Sequence, residues 1–276
     1  MPRGLLILPW VAALAAAQPA SAQVLAQAVP VKYDLTVTPG EILTREIVLS
    51  NQGNETVVVR LRYSDWQVSA EGAVSLAAAG STPNSLAGHV RFEPQSISLP
   101  PGEEGRVLLT MSLPADGPAT RYGVVLSEVR PAVFRRNRLG PRAIAELGTT
   151  IYLSRIPADR IRAEFTALVA APLGGDSMAV SARVRNAGER HLYVTGEMAL
   201  ADSSGVTVRS AALGTGVVLP GTERAFTWTC APALAPGRYR LTATLDTGEA
   251  ELLVGERWIQ WPLAPTTPKL AERLQH

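Results

Sequence analysis

Residues 47–63 read IVLSNQGNETVVVRLRY, and this stretch has the sequence pattern of a β-hairpin. In its second half the apolar side chains recur at every other position and share one face, while Arg60 and Arg62 lie on the opposite face. Such alternation is typical of a half-buried antiparallel strand with one wet face. The turn between the two runs contains Asn51 and Gly53, residue types that accept positive φ angles. The stretch therefore predicts two antiparallel strands joined by a tight turn.

The same short-strand pattern extends over the rest of the chain. Prolines at positions 94, 100, 101, 114, 118 and 131 divide the first half into short segments. No segment of the mature chain has the 3.6-residue period of an amphipathic helix. We therefore expect an all-β protein.

The composition excludes several classes of function. Of the 276 residues 46% are hydrophobic and 18% are charged, with 26 Lys and Arg against 24 Asp and Glu. This apolar fraction is too high for a disordered chain, and a net charge of +2 lacks the basic excess of a nucleic-acid or membrane-surface binder. One Cys and three His exclude an internal disulfide and leave little material for metal or acid–base chemistry. We expect no cofactor, no metal site and no catalytic centre.

The first segment has the layout of a secretory signal peptide. Arg3 precedes an uncharged apolar run from Gly4 to Ala17, and Ala20-Ser21-Ala22 offers a cleavage site of the A-x-A type. The alternative is an N-terminal membrane anchor, but about 14 apolar residues are too few to span a hydrocarbon core of about 30 Å. No later segment is apolar over the roughly 18 residues that a span needs. We expect residues 1–22 to be removed and the mature chain to be periplasmic or otherwise exported, with no integral membrane segment.

The second half of the chain repeats the landmarks of the first in the same order. An Asn-x-Gly turn at 51–53 recurs at 186–188, and a Pro-Gly turn at 101–102 recurs at 220–221. The strand after each Pro-Gly turn has apolar side chains at one spacing, namely Val107, Leu109 and Met111 in the first half and Phe226, Trp228 and Cys230 in the second. These matches indicate a tandem β repeat.

Each copy of the repeat fits an immunoglobulin-like sandwich. About seven strands in roughly 100 to 130 residues is the size of such a domain. An Arg-Tyr pair opens a late strand in both halves, and Tyr122 and Tyr239 fit a tyrosine corner, in which the hydroxyl bonds back to the preceding loop. Because no Cys pair bridges the sheets, each core must rest on apolar packing, and we interpret Cys230 as a small buried hydrophobe.

We therefore predict two tandem immunoglobulin-like β-sandwich domains after a cleaved signal peptide. Residues 29–156 form domain 1, residues 160–262 form domain 2, and residues 263–276 form a flexible tail. The linker is placed at 155–160, where a proline limits the hinge.

The motifs of domain 1 at 34–40, 48–51, 92–94 and 99–102, with the strand 106–113 that follows, resemble the N-terminal domain of periplasmic pilus-assembly chaperones. The resemblance implies binding by β-augmentation, in which a strand of the chaperone completes an incomplete immunoglobulin fold in a pilus subunit. It also implies protein partners, namely pilus or cell-envelope subunits and an outer-membrane usher. Domain 2 resembles a general bacterial immunoglobulin-like module.

The strand to which the resemblance assigns this role is Ala143 to Leu153. Its odd-numbered residues share one face and its even-numbered residues the other. The implied partner-binding residues are Ile144, Leu147, Thr149, Ile151, Tyr152, Leu153 and Arg155.

The family also anchors the C-terminal carboxylate of its subunit with two basic residues. At the position of the Lys this sequence has Tyr152, and at the position of the early Arg it has Val37, with Lys32 and Arg45 displaced along the chain. Neither anchor carries over residue by residue, and Arg155 is the nearest physical substitute.

A basic loop precedes the same strand, and its arginines are Arg135, Arg136, Arg138 and Arg142. One interpretation is a partner-docking loop. The other, which we favour, is a solvated loop whose charges keep an edge strand from aggregating.

Two hypotheses for the whole protein follow. The first is a non-catalytic, chaperone-like binder of extended β segments in pilus or cell-envelope subunits. The second is a structural or adhesive immunoglobulin-like module of the cell envelope. Trp258 and Trp261 bear on the adhesive hypothesis. They form either an exposed platform for a glycan or, as we favour, part of a last strand that buries one or both rings.

Overall fold

The computed structural model describes residues 25–133, 144–156, 162–231 and 233–264, and every helix or strand assigned within these ranges is a β-strand. The all-β prediction is confirmed. The predicted signal peptide, the four arginines of the predicted basic loop, residues 157–161 of the linker region and most of the predicted tail lie outside the described residues.

Ten strands lie in the described residues before the linker region: β1 (Ala26–Val29), β2 (Lys32–Thr36), β3 (Ile42–Asn51), β4 (Val57–Val68), β5 (Val74–Ala77), β6 (Val90–Glu93), β7 (Ser96–Leu99), β8 (Glu104–Ser112), β9 (Thr120–Pro131) and β10 (Ala145–Ser154). They form one sheet of order β1-β3-β8-β6 and a second of order β2-β10-β9-β4-β5, in which β7 also pairs with β4. We call these two sheets the first sandwich. Both sheets contribute to one core, since Ile47 and Leu109 of one sheet and Val59, Val125 and Ile151 of the other are at most 1% exposed.

Seven strands follow: β11 (Ala163–Gly174), β12 (Ser177–Asn186), β13 (Leu192–Ala201), β14 (Thr207–Val218), β15 (Glu223–Cys230), β16 (Gly237–Asp246) and β17 (Leu253–Trp261). They form sheets of order β11-β12-β15 and β14-β13-β16-β17, which we call the second sandwich. Its core includes Val180, Met198 and Leu241, all fully buried. Cys230 packs against this core as a half-buried side chain.

The Asn-x-Gly turns of the two sandwiches make the same hydrogen bonds. The buried amide of Asn51 donates to the carbonyls of Glu55 and Leu99 at 2.8 and 2.9 Å, and its oxygen accepts from the Gly53 N–H at 3.0 Å. Asn186 likewise donates to Arg190 and Val218 at 2.8 and 3.0 Å and accepts from Gly188 at 2.9 Å. The Pro-Gly turns complete the match, because Gly102 donates to the Asn51 carbonyl and Gly221 to that of Asn186. The predicted internal repeat is therefore present in three dimensions.

The predicted tyrosine corner is confirmed in the second sandwich only. The hydroxyl of Tyr239 donates to the Ala235 carbonyl, four residues earlier, at 2.9 Å. Tyr122 instead turns away from the core of the first sandwich and packs against Trp66 and Tyr152. The matching Arg-Tyr pairs thus place their rings on different faces.

The last strand buries one of its two tryptophan rings, as favoured from the sequence. Trp261 is 6% exposed and belongs to the core of the second sandwich. Trp258 is 46% exposed, and the guanidinium of Arg238 lies over its ring at 4.4 Å from the centroid.

The first sandwich differs from the second in how its opening strand is used. β1 pairs antiparallel with β3, the chain then crosses at Pro30, and β2 pairs in parallel with β10 in the other sheet. In the second sandwich the opening strand β11 pairs along its length with β12. β1 begins at Ala26, three residues before the expected start of domain 1, and the domain boundaries themselves remain a prediction.

Candidate functional site: a half-covered strand beside the cleft

The strand that the sequence singles out is covered on one flank along its whole length and on the other flank for half of it. β9 pairs with β10 from Ala145 to Ser154. β2 pairs with the opposite edge only from Thr150 to Ser154. Among the described residues, Ala145–Thr149 therefore form a sheet edge with one unpaired side. The prediction of an edge strand over residues 143–153 is therefore wrong for its second half, which is paired on both flanks, and holds for Ala145–Thr149.

The direction of the main-chain groups follows from one hydrogen bond. The Thr150 N–H donates at 3.0 Å to the carbonyl of Val31, the residue just before β2. Main-chain groups in a strand alternate with a period of two, so the N–H and C=O groups of Glu146 and Gly148 point to the same side as those of Thr150. No strand of the described chain pairs with them there, and they can accept an added strand.

The two faces of β10 follow the predicted alternation. Ile151 and Leu153 are fully buried in the core of the first sandwich, and Leu147 packs against that core as a half-buried side chain. Thr149 is buried and donates from its hydroxyl to the Pro30 carbonyl at 3.0 Å. Tyr152 lies on the opposite face.

The predicted partner-binding residues thus do not form one surface. Ile151, Leu153 and Tyr152 are buried within the protein, so their side chains are not available to a partner. Arg155 donates to the carbonyls of Ala115 and Gly117, the latter at 3.1 Å, and fastens the loop between β8 and β9. Two of the predicted side chains reach the free edge. They are Ile144, which is 55% exposed just before β10, and the exposed part of the half-buried Leu147.

Apolar and charged side chains flank this edge. Val31, the residue before β2, is 70% exposed, and Ile144 lies at the other end of the free segment. On the outer face of the sheet Glu146 accepts from Arg62 at 2.7 Å. Because both partners of this ion pair are substantially exposed, it contributes little to stability.

Beside the covered half of β10, an acidic residue of the first sandwich meets two basic residues of the second. One carboxylate oxygen of Asp34 on β2 accepts from the Arg190 guanidinium at 2.8 Å, and the other lies 2.9 Å from Nε2 of His191. Arg190 also donates to the Thr36 hydroxyl at 3.0 Å and the Ile156 carbonyl at 2.7 Å. Burial alone would raise the pKa of Asp34, but the hydrogen bond with His191 and the charges of His191, Arg190 and Lys32 outweigh it and lower this pKa.

Aromatic rings fill the rest of this cleft. The Tyr152 ring is stacked on the His191 ring, with centroids 3.9 Å apart, and meets Trp66 edge-on at 5.9 Å. Tyr122 and Tyr193 pack around them. Burial, followed by the nearby Tyr193 and Asp34, raises the pKa of Tyr152, and burial raises that of Tyr122 to about 12. Both phenols are therefore neutral and serve as packing groups.

The basic residues considered as carboxylate anchors are dispersed. Lys32 lies with its ammonium 4.2 Å from the centre of the Tyr193 ring, at the cleft. Arg45 is exposed on β3 and donates to the neighbouring Thr44 carbonyl at 2.8 Å. The position that corresponds to the family's Lys is the buried ring of Tyr152.

The sequence did not single out Asp34, Arg190, His191 and Tyr193 as a group. Asp34 lies more than 150 residues from the other three, and no short motif links them. The available signal was that the Arg-His pair begins two residues after the glycine of the second Asn-x-Gly turn, which places it at a fixed corner of the second sandwich.

Other kinds of site are not found in the described residues. No group of three or more His, Cys, Asp or Glu in them is placed to hold a metal ion. None of their regular elements is a helix long and apolar enough to cross a bilayer.

The fold and this site define a class of protein: a pair of immunoglobulin-like sandwiches in which one sheet edge stays partly unpaired beside the cleft. Neither the sequence profiles of known families nor the curated proteins match the chain. Solved structures do. One, from work on a chaperone–tip adhesin complex in CFA/I fimbriae biogenesis, is 13% identical and covers 84% of this chain and 98% of its own, with a TM-score of 0.47.

Two further solved structures are similar to the same extent. In the CsuC–CsuE chaperone–tip adhesion subunit complex of Acinetobacter baumannii, the matching chain is 13% identical and the match covers 85% of this chain and 98% of that one, with a TM-score of 0.45. In the Salmonella enterica SafA pilin–SafB chaperone complex, the matching chain is 12% identical. The match covers 86% of this chain and 98% of that one, with a TM-score of 0.45. Pilus-assembly chaperones, the family that the motifs of the first sandwich resemble, are thus among the solved structures that this chain is similar to.

Proposed function

We propose that the protein is an exported, non-catalytic, chaperone-like binder of extended β segments in pilus or cell-envelope subunits, and that it adds its β10 edge to them. The observation that carries the proposal is the unpaired flank of Ala145–Thr149 beside a fully paired remainder of the same strand. The periplasm is the proposed location, and an outer-membrane usher is a proposed second partner.

The chemistry of this edge suits main-chain recognition. Two residues, Glu146 and Gly148, direct their N–H and C=O groups outward, so an added strand gains a short ladder of hydrogen bonds. The exposed Val31 and Ile144 at the two ends offer apolar contacts to alternate side chains of the partner. Unpaired edges of this kind are a liability in a protein that binds nothing, because they invite aggregation.

The second candidate is a structural or adhesive module of the cell envelope. It is favoured by a different feature, the half-exposed Trp258 with Arg238 stacked on it on the outer face of the second sandwich. An adhesive role would use this face and leave the β10 edge unoccupied.

The test compares Glu146→Pro with Glu146→Gln in the full chain. Both variants lose the exposed ion pair with Arg62, but proline also removes the outward N–H and blocks the added strand. The N–H of residue 146 is not used by β9, so the fold should tolerate proline there. We expect affinity capture from the periplasm to recover the same envelope subunits with the wild type and the Gln variant. The Pro variant should recover at least about tenfold less of them, because it loses one or two hydrogen bonds of the ladder to the added strand.

Equal recovery with both variants would exclude the edge as the binding element. Recovery of the protein alone from wild-type cells would contradict the chaperone-like function itself. In either case circular dichroism of the two variants must show the same thermal transition, which establishes that the sandwich is intact.

A further inference from the structure

Strand β2 covers the second half of the β10 edge without a fully buried side chain of its own. Its five residues, Lys32–Thr36, are exposed or half-buried. On one side it pairs with β10, with the ladder continued by the Val37 N–H, which donates to the Ser154 carbonyl at 2.8 Å. Its other side pairs with no strand of the described chain. Within the first sandwich β2 is also held by Tyr33 and Leu35, which pack against the core, and by the Tyr33 hydroxyl, which donates to the Glu46 carbonyl at 2.5 Å. These side chains are only partly buried, so an outer strand of five residues opens more easily unless it has a further hold.

The second sandwich supplies such a hold. Asp34 of β2 is bound through both carboxylate oxygens by Arg190 and His191, and Thr36 at the end of β2 accepts from the same guanidinium. Arg190 and His191 are 6% and 2% exposed. Charge-assisted hydrogen bonds shielded from water in this way are stronger than neutral ones or surface ion pairs.

The pair is held rigidly on the side of the second sandwich as well. The Asn186 amide donates to the Arg190 carbonyl at 2.8 Å, which fastens the residues that precede β13 to the Asn-x-Gly turn. Across the cleft, the ring of Tyr152 on β10 of the first sandwich stacks on the His191 ring and fixes its plane. The two basic groups are therefore presented to Asp34 in a fixed geometry.

We infer that Asp34, Arg190 and His191 form a clamp that holds β2 on β10 and thereby sets the length and register of any strand that β10 can accept. These three are positioning residues: they act on the partner through β2. The inference rests on the proposed function and assigns to the second sandwich a part in it.

The consequence for a partner is geometric. An added strand on the same flank of β10 as β2 can pair only with Ala145–Thr149. It must stop before Val31, because β2 occupies the flank from there on. A longer segment would have to displace β2 and break the clamp together with the parallel ladder. With the clamp open, the free flank would extend from Ala145 to Ser154 and its length would double.

The clamp is tested by amide-resolved hydrogen exchange in the full chain, without a partner. The N–H groups of Thr150 and Tyr152 point to β2, whereas those of Ile151 and Leu153 point to β9. In Asp34→Asn we expect exchange at Thr150 and Tyr152 to accelerate about tenfold or more, as the loss of a charge-assisted hydrogen bond allows. Exchange at Ile151 and Leu153 should be unchanged.

Two further variants make the result specific. Arg190→Gln should give the same pattern as Asp34→Asn. Glu223→Gln, which breaks a 3.1 Å ion pair with Arg183 inside the second sandwich, should leave all four amides unchanged. Unchanged exchange at Thr150 and Tyr152 in both clamp variants would overturn the inference, and so would equal acceleration at all four positions, which would mean a general loosening of the sheet. Because no partner is involved, failure here and failure of strand capture are separate results.

Discussion

The carboxylate of Asp65 holds a loop of the first sandwich to its sheet. Asp65 is fully buried in the second half of β4. Its two oxygens accept from the Tyr63 hydroxyl at 2.7 Å, the Ser85 hydroxyl at 2.6 Å, and the N–H and hydroxyl of Thr82 at 2.9 and 3.1 Å. Burial would raise its pKa, but the hydrogen bonds from Ser85, Thr82 and Tyr63 outweigh burial and lower it. The residue is thus ionised and fully bonded.

Replacing Asp65 with Asn should destabilise the protein by about 3 kcal/mol at neutral pH, because an amide cannot accept all four hydrogen bonds and leaves buried donors unpaired. A carboxyl whose pKa is lower in the folded state contributes stability above its unfolded pKa of about 3.9 and loses it as the pH falls through the folded value. The difference between the wild type and the variant in urea unfolding should therefore shrink from pH 7 to pH 3. A difference that stays constant over this range would contradict the role of the ionised form.

The two Asn-x-Gly turns provide a paired test of the repeat. Asn51→Ala and Asn186→Ala each remove two amide donors to buried carbonyls and one acceptor for a glycine N–H, so each should cost about 2 to 3 kcal/mol. Asn54→Ala, at an exposed position of the first turn, is the control and should change stability by less than about 0.5 kcal/mol. Chemical denaturation measures all three, and a negligible cost at either buried position would mean that the turn is held by its main chain alone.

Strand β10 shows which properties of a site local sequence can predict. Its two faces follow from a period of two, and they were predicted correctly because that period is a property of the strand alone. Its coverage by β2 depends on a parallel pairing with residues that lie more than 110 positions away in the chain. These residues reach β10 because the chain crosses from one sheet to the other at Pro30. No local pattern encodes such a pairing. For the same reason Tyr152 and Arg155 looked available in sequence but are engaged by the cleft and by the Ala115–Gly117 loop.

Two apolar positions of β10, Leu147 and Ile151, should respond differently to a substitution by lysine. Ile151 is fully buried, so Ile151→Lys places an unpaired charge in the core and should unfold the first sandwich at ambient temperature. Leu147 lies half-buried beside the free edge, so its lysine can extend to water, and Leu147→Lys should cost only about 1 to 2 kcal/mol. Far-ultraviolet circular dichroism with heating distinguishes them. A folded Ile151→Lys variant would contradict this prediction, because it would show that the core accommodates a charge at a fully buried position.

The relation between the two sandwiches is the property that the sequence predicts least. Trp66, Tyr122 and Tyr152 on the outer face of the first sandwich pack with Leu219 of the second, and all four are at most 5% exposed. The Ala225 N–H adds a main-chain hydrogen bond to the Ala70 carbonyl at 2.6 Å. Each of these residues reads in sequence as an ordinary member of its own strand or turn. Only the packing of two finished sandwiches turns them into an interface.

This interface should couple the unfolding of the two sandwiches. The apolar cluster and the Asp34 clamp lie side by side, so the wild type should unfold in one calorimetric transition, although chains with two sandwiches commonly unfold in several steps. Leu219→Asp buries a charge in the cluster and should cost about 3 kcal/mol or more of coupling, which splits the transition into two. Leu252→Asp, at a position 56% exposed in the second sandwich, is the control and should keep one transition. Two transitions already in the wild type would mean that the sandwiches meet without mutual stabilisation, and the clamp would then have to hold β2 through its hydrogen bonds alone.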